Sequence, residues 1–183
     1  MKRQPTLSGV LVVVCSMLVQ AQTAQTPKPG PEHKKLGVFL GSWSIDGEFK
    51  SGNGYGFPAG KVIQVERFQW IPGEFFLQMN RDGKGPGGEI KHMIIFGYDS
   101  VARKHTGTWY DLNAGESISA TFTNTGNTWL WSGSGHTPDG RAYQERCTVA
   151  VVPNASYTVK CETSSDGKSW SASYEGKATR SKS

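Results

Sequence analysis

The sequence predicts an all-β fold, an antiparallel up-and-down β-barrel of about ten strands with a short N-terminal helix. Three observations carry that expectation. Glycine and proline contribute 23 and 9 of the 183 residues, so turn formers are abundant. β-rich runs recur along most of the chain, separated by turn signals such as Pro72-Gly73, Asn113-Ala114-Gly115, Pro138-Asp139-Gly140 and Asp166-Gly167. Two runs alternate with period two: Ile118, Ala120 and Phe122 against Ser117, Ser119 and Thr121, and Trp170, Ala172 and Tyr174 against Ser169, Ser171 and Ser173. A hydrophobic fraction of 36% is low for a helical bundle, whereas the aromatic content argues against disorder.

The chain opens with the basic Met1-Lys2-Arg3, an apolar run from Gly9 to Val19, and a small-x-small pattern at Val19 and Ala21. Residues 1–21 read as a secretory signal peptide cleaved after Ala21. The apolar run is too short for a spanning helix, which needs about 20 such residues. The mature chain is therefore expected to be secreted or periplasmic and to carry no membrane anchor. Residues 22–32, with three prolines and no periodicity, read as an extended linker. A single barrel domain is expected over 33–180, with a tail at 181–183.

Within the domain, residues 33–40 form the one convincing helical piece, apolar at Leu36, Phe39 and Leu40. Strands are expected near 42–50, 61–71, 74–81, 90–98, 104–111, 116–123, 127–134, 141–152, 156–165 and 168–179. Mostly short connections place sequence neighbours side by side. A sheet of that size curls or closes, which removes its edges. Closure gives a barrel, with a sandwich as the competing solution. A barrel of this size can hold a small ligand.

Signal cleavage removes Cys15 and leaves Cys147 and Cys161, an even number in an oxidising compartment. With Asn154 at the tip of a hairpin the two cysteines face each other directly. Cys147, Val149, Val151, Tyr157, Val159 and Cys161 then share one face, opposite Thr148, Ala150, Val152, Ser156, Thr158 and Lys160. A structural disulfide follows.

The formal charge of +5 is modest, and no basic run exceeds two residues, so no nucleic-acid partner is expected. Gly83 to Gly88 fits a G-x-G-x-x-G spacing, but a strand follows where a dinucleotide site needs a helix. It reads as a flexible hairpin loop. Gly52 to Gly56 reads the same way, or as a lid over a barrel mouth. His33, His92, His105 and His136 show no metal spacing, and no hydrolase motif is present, so no metal ligand or catalytic residue is assigned. His92 shares a strand face with Ile90, Ile94 and Phe96, so it reads as a satisfied core or rim histidine, with a position pointing into a cavity as the alternative. Glu66 shares parity with Val62, Gln64, Phe68 and Trp70. Inside a barrel it must pair with a cation or hold a raised pKa.

Several motifs in order resemble one family. They are Leu36 to Trp43 with its Gly-x-Trp, Glu66-Arg67, Gly97-Tyr98-Asp99, Thr108 to Asp111, and Tyr174 to Ala178. Together they are similar to the bacterial domain of unknown function family 1579, over roughly residues 33–180. The resemblance implies a calycin-like barrel in which Trp43 plugs the floor and Gly97-Tyr98-Asp99 makes a corner, with Trp109 and Asp111 as signature positions. It implies no activity. Related haem-binding barrels use a histidine near the carboxyl end as iron ligand, and this chain has none after His136, so no cofactor is expected.

The function expected is binding of a small, largely apolar molecule, with Glu66, Phe68, Trp70, His92, Trp109, Asp111 and Tyr174 as candidate ligand-binding residues. An envelope interaction module is the alternative. An enzyme using Glu66, His92 or Asp111, at least two of them converging on a pocket, ranks below both. Nothing in the sequence bears on oligomeric state.

Overall fold

A computed structural model describes residues 27–181. The signal peptide, Cys15 and the start of the linker fall outside the described residues. Ten antiparallel strands follow a short helical segment: β1 (Gly41–Phe49), β2 (Gly60–Trp70), β3 (Leu77–Gly85), β4 (Gly88–Asp99), β5 (Lys104–Asp111), β6 (Glu116–Thr125), β7 (Thr128–His136), β8 (Ala142–Val152), β9 (Ser156–Ser164) and β10 (Ser171–Arg180). Each pairs with its sequence neighbours, and β10 returns to β1, closing the barrel. The sandwich is thereby excluded.

The period-two pattern sets the inside of the wall. Ile118, Ala120 and Phe122 point inward and Ser117, Ser119 and Thr121 outward, as the alternation requires. On β8 and β9 the register is the one centred on Asn154, with Cys147 opposite Cys161 and the two joined by a disulfide. Asn154 adopts a φ of 59° at the tip, a left-handed conformation that asparagine tolerates.

Four expectations need correction. The helix starts earlier than residue 33, as α1 (Pro31–Lys35), and passes into a 3-10 turn, η1 (Leu36–Phe39). Proline at the first helical position loses no hydrogen bond and presets φ. Strand β3 starts at Leu77 because residues 74–76 complete a turn, with Glu74 N–H donating to Ile71 and Ile71 N–H to Phe76, both at 2.9 Å. The stretch Gly83–Gly88 is largely strand: β3 and β4 meet through Pro86-Gly87 alone. A Cβ on Gly83 would lie 2.5 Å from the Ile63 carbonyl oxygen, so glycine there permits close strand approach. In β10 a bulge lies between Ala172 and Tyr174. The extra residue reverses parity, so Ser173 is fully buried and Ala172 exposed. Trp170 precedes the strand and stacks on the exposed Arg146 at 4.3 Å.

The helical segment closes one end. Leu36 is buried there, and Trp43 is fully buried with its indole N–H donating to the Phe39 carbonyl at 2.6 Å. His105, absent from the expected site, lies buried with Nε2 2.9 Å from the Glu32 carbonyl oxygen, tying α1 to β5. Gly97-Tyr98-Asp99 leads into a turn in which Asp99 Oδ1 accepts the N–H groups of Val101 and Ala102. The β1–β2, β3–β4, β5–β6 and β7–β8 connections form the opposite rim.

Candidate functional site

The barrel encloses a cavity of about 450 Å³. Its deep end is apolar and aromatic, built from Leu36, Phe39, Phe68, Phe96, Phe122 and Trp129. Phe39 and Phe68 stack with centroids 5.6 Å apart, and Phe96 meets Phe122 at 5.3 Å. The disulfide also faces the cavity.

The polar part follows from strand register. Across β1 to β6, Trp43 opposes Glu66, Glu66 opposes Arg81, Arg81 opposes His92, His92 opposes Asp111, and Asp111 opposes Glu116. One row of paired positions thus carries five ionisable groups in succession. Strands in a barrel are tilted, so such a row climbs as it goes around. It starts beside the floor at Trp43 and ends at the rim at Glu116, the first residue of β6.

Along this row Arg81 donates to Glu66 Oε1 from Nε at 2.8 Å and from Nη2 at 2.5 Å. The Tyr157 hydroxyl donates to Glu66 Oε2. Burial opposes the Arg81 charge, but the Glu66 carboxylate more than offsets it and holds the guanidinium pKa above its ordinary value. Burial and the nearby Glu66 push the Tyr157 phenol well up. Arg81 also lies 4.6 Å from the Trp109 ring centroid, and the His92 ring packs on the same indole at 4.6 Å. Burial first, then the Arg81 charge, lowers His92 from 6.5 to about 3, against the opposing pull of Asp111. Asp111 Oδ2 sits 3.8 Å from His92 Nε2, while Oδ1 accepts from the N–H groups of Asn113 and Ala114.

A second polar group sits under the β1–β2 loop, residues 50–59. This loop folds inward as a strap and is pinned. Thr163 Oγ1 donates to the Asn53 carbonyl at 2.7 Å, and Asn53 Oδ1 accepts the Tyr55 N–H at 3.0 Å. The buried Tyr55 hydroxyl donates to Glu145 and accepts from Ser173 Oγ. Burial raises the Glu145 carboxyl pKa, offset in part by the Tyr55 hydrogen bond. Tyr143 packs edge-on against Tyr55 at 5.4 Å, and burial with Glu145 lifts its phenol to about 12.

Six of the seven expected residues line the cavity: Glu66, Phe68, His92, Trp109, Asp111 and Tyr174. Trp70 does not. It lies at the last position of β2 and packs beside Gly37 of the floor segment, where the row of inward residues has already passed beneath the cavity. Arg81, Glu116, Glu145, Tyr143 and Tyr55 were missed. Parity reaches most of them: Arg81 continues Leu77 and Met79, Glu116 precedes Ile118 by two, and Tyr143 and Glu145 extend the Cys147 face. Tyr55 is carried by a loop, where parity gives no signal.

Among the described residues four buried side-chain polar atoms have no hydrogen-bond partner; Arg180 Nε lies away from the cavity, and the other three, Gln64 Oε1, His92 Nδ1 and Trp131 Nε1, belong to cavity-lining side chains. Buried polar atoms are ordinarily satisfied, so these mark where a guest or water would bond. Among the described residues one cluster of metal-type donors, Glu145, Cys147 and Cys161, lies within 4.8 Å, but both sulfurs are committed to the disulfide. Among the described residues no helix is long and apolar enough to cross a membrane.

A family model described as protein of unknown function (DUF1579) matches residues 28–180. No curated protein matches the chain. Among solved structures, the crystal structure of Rv2717c from M. tuberculosis is similar at 15% identity and a TM-score of 0.58, covering 84% of this chain and 99% of that one. The structure of EF1p2_mFAP2b bound to DFHBI matches at 11% identity and a TM-score of 0.44, covering 81% and 98%. A de novo designed fluorescence-activating β-barrel matches at 12% identity and a TM-score of 0.42, covering 79% and 95%. At these identities the likeness to Rv2717c extends to the fold, and the two weaker matches add nothing to it.

Proposed function

The chain belongs to the DUF1579 family, and from a membership that supplies no activity we propose that the protein is an exported barrel that binds a small, largely apolar molecule in its cavity. The observation that carries this reading is an aromatic-lined space of about 450 Å³ whose wall holds buried, unpartnered polar atoms. Pockets of roughly 300–1,000 Å³ with apolar walls and a few placed polar groups are the usual form of small-molecule sites. The disulfide supports an oxidising compartment, hence secretion or the periplasm.

Glu66, His92 and Asp111 do meet at the cavity, the geometric condition for an enzyme. Both Glu66 oxygens, however, are occupied by Arg81 and Tyr157, so binding is the better-supported role. The exposed large apolar residues, among them Ile63, Val101, Leu112, Leu130 and Val152, sit on separate strands and loops, which weakens the interaction-module reading. Native mass spectrometry of protein purified from its own host tests the proposal. A bound mass released on denaturation is expected. Protein without bound mass that also takes up no aromatic probe would overturn it.

A further inference from the structure

The cavity wall is acidic in a chain that is basic overall. It carries Glu66, Glu89, Asp111, Glu116 and Glu145 against the single cation Arg81. Among the described residues five acidic side chains thus line the space, against one lysine or arginine. Arg81 is held by Glu66, and Glu89 pairs with Lys91 at 3.0 Å. Asp111, Glu116 and Glu145 have no lysine or arginine in ion-pair contact among the described residues. They lie together toward the rim: Asp111 and Glu116 are opposed across β5 and β6, and Glu116 and Glu145 both act on the Tyr143 phenol.

Resting on the cavity-binding reading above, we propose that the ligand is an organic cation, a protonated amine on an apolar body, with its charged head among Asp111, Glu116 and Glu145 and its body over the aromatic floor. Independent of the carboxylates, the unpartnered atoms point the same way. Gln64 is 4% exposed and its Oε1 can only accept. His92 Nε2 lies 3.8 Å from Asp111 Oδ2, beyond hydrogen-bond range, and with the ring proton on that nitrogen the unpartnered Nδ1 is an acceptor. Two of the three unpartnered cavity atoms therefore lack a donor, and an ammonium group supplies donors. Tyr55, Tyr143, Trp109 and Trp131 line the same cavity and offer ring faces that attract cations. A carboxylate ligand would find only Arg81, already neutralised by Glu66, and would be repelled by Asp111, Glu116 and Glu145.

Calorimetry at pH 7 on the mature protein with three probes of one shape, 1-naphthylmethylamine, 1-naphthylmethanol and 1-naphthoate, tests the proposal. The amine is expected to bind about tenfold tighter than the alcohol, and the naphthoate weakest. Glu145→Gln and Asp111→Asn should each shrink the amine-to-alcohol ratio severalfold. Glu162→Gln, the same charge change on a residue paired with Arg146 outside the cavity, should leave it unaltered. An amine no tighter than the alcohol, or a naphthoate tighter than either, overturns the cation assignment while the cavity reading stands. Failure of the folded protein to bind any of the three overturns the cavity reading and this proposal with it.

Discussion

Glu145 illustrates how a single residue in this barrel trades stability for an available charge. Its side chain is half-buried with the Tyr55 hydroxyl as its hydrogen-bond partner among the described residues, and desolvation raises its pKa. A raised folded-state value means the stabilising contribution is complete at low pH and is lost as pH rises through that value. Glu145→Gln keeps an acceptor for Tyr55 and removes the charge. It should therefore raise the urea midpoint at pH 7, with the gain vanishing below about pH 4. His92 runs the other way. Its folded-state value of about 3 lies below the ordinary 6.5, so its contribution is present above 6.5 and declines as pH falls toward 3. Wild-type stability should drop by up to about 1.4 kcal/mol per pH unit in that window from this group. Urea titrations of His92→Gln should show a flatter profile between pH 6 and 4; an unchanged slope would mean His92 is protonated in the folded state.

At the scale of elements, the β8–β9 hairpin combines a register fixed by side-chain parity with a covalent tie across it. The cysteines are 14 residues apart in sequence, and closing a loop of that length restricts the unfolded chain by about 3 kcal/mol. The double variant Cys147→Ala/Cys161→Ala should lose about that much in urea denaturation while retaining the far-ultraviolet spectrum of the barrel. Retained stability would show the tie to be redundant with strand pairing. This hairpin was legible from sequence because both strands are regular and the turn is short. The start of β10 was not. Its serine and aromatic alternation predicts Ala172 inside, but the bulge buries Ser173 instead, where it donates to Tyr55. A bulge is set by what the partner strand and the strap require, and strand parity carries no trace of it. For the strap, the sequence pattern shows only a glycine loop or lid. The polar contacts of Asn53 and Tyr55 that pin it join residues 90 to 118 positions apart, beyond the reach of any local pattern.

For the whole molecule, closure into ten strands was readable because short turns force sequential pairing, and most of the inward residues followed by parity. The climbing row from Glu66 to Glu116 was not, since it emerges only when five strands are set in register. The sequence also leaves open whether the interior is filled or hollow, because that depends on the barrel radius against the summed side chains. Two neighbouring inward positions on β8 separate the cases. Val149 lines the cavity, whereas Val151 is 5% exposed and lies in the packed core beside the floor. Enlarging a side chain in a packed core costs about 1–3 kcal/mol through forced rotamers and backbone shifts. Val151→Phe should incur that cost. Val149→Phe has open space of about 450 Å³ to enter, so its urea midpoint should stay within about 0.5 kcal/mol of wild type. It should also lose any small molecule retained by the wild-type protein in native mass spectrometry, because the new ring occupies the guest's volume. Equal destabilisation by the two substitutions would mean that side chains already fill the barrel, and no guest of useful size could enter.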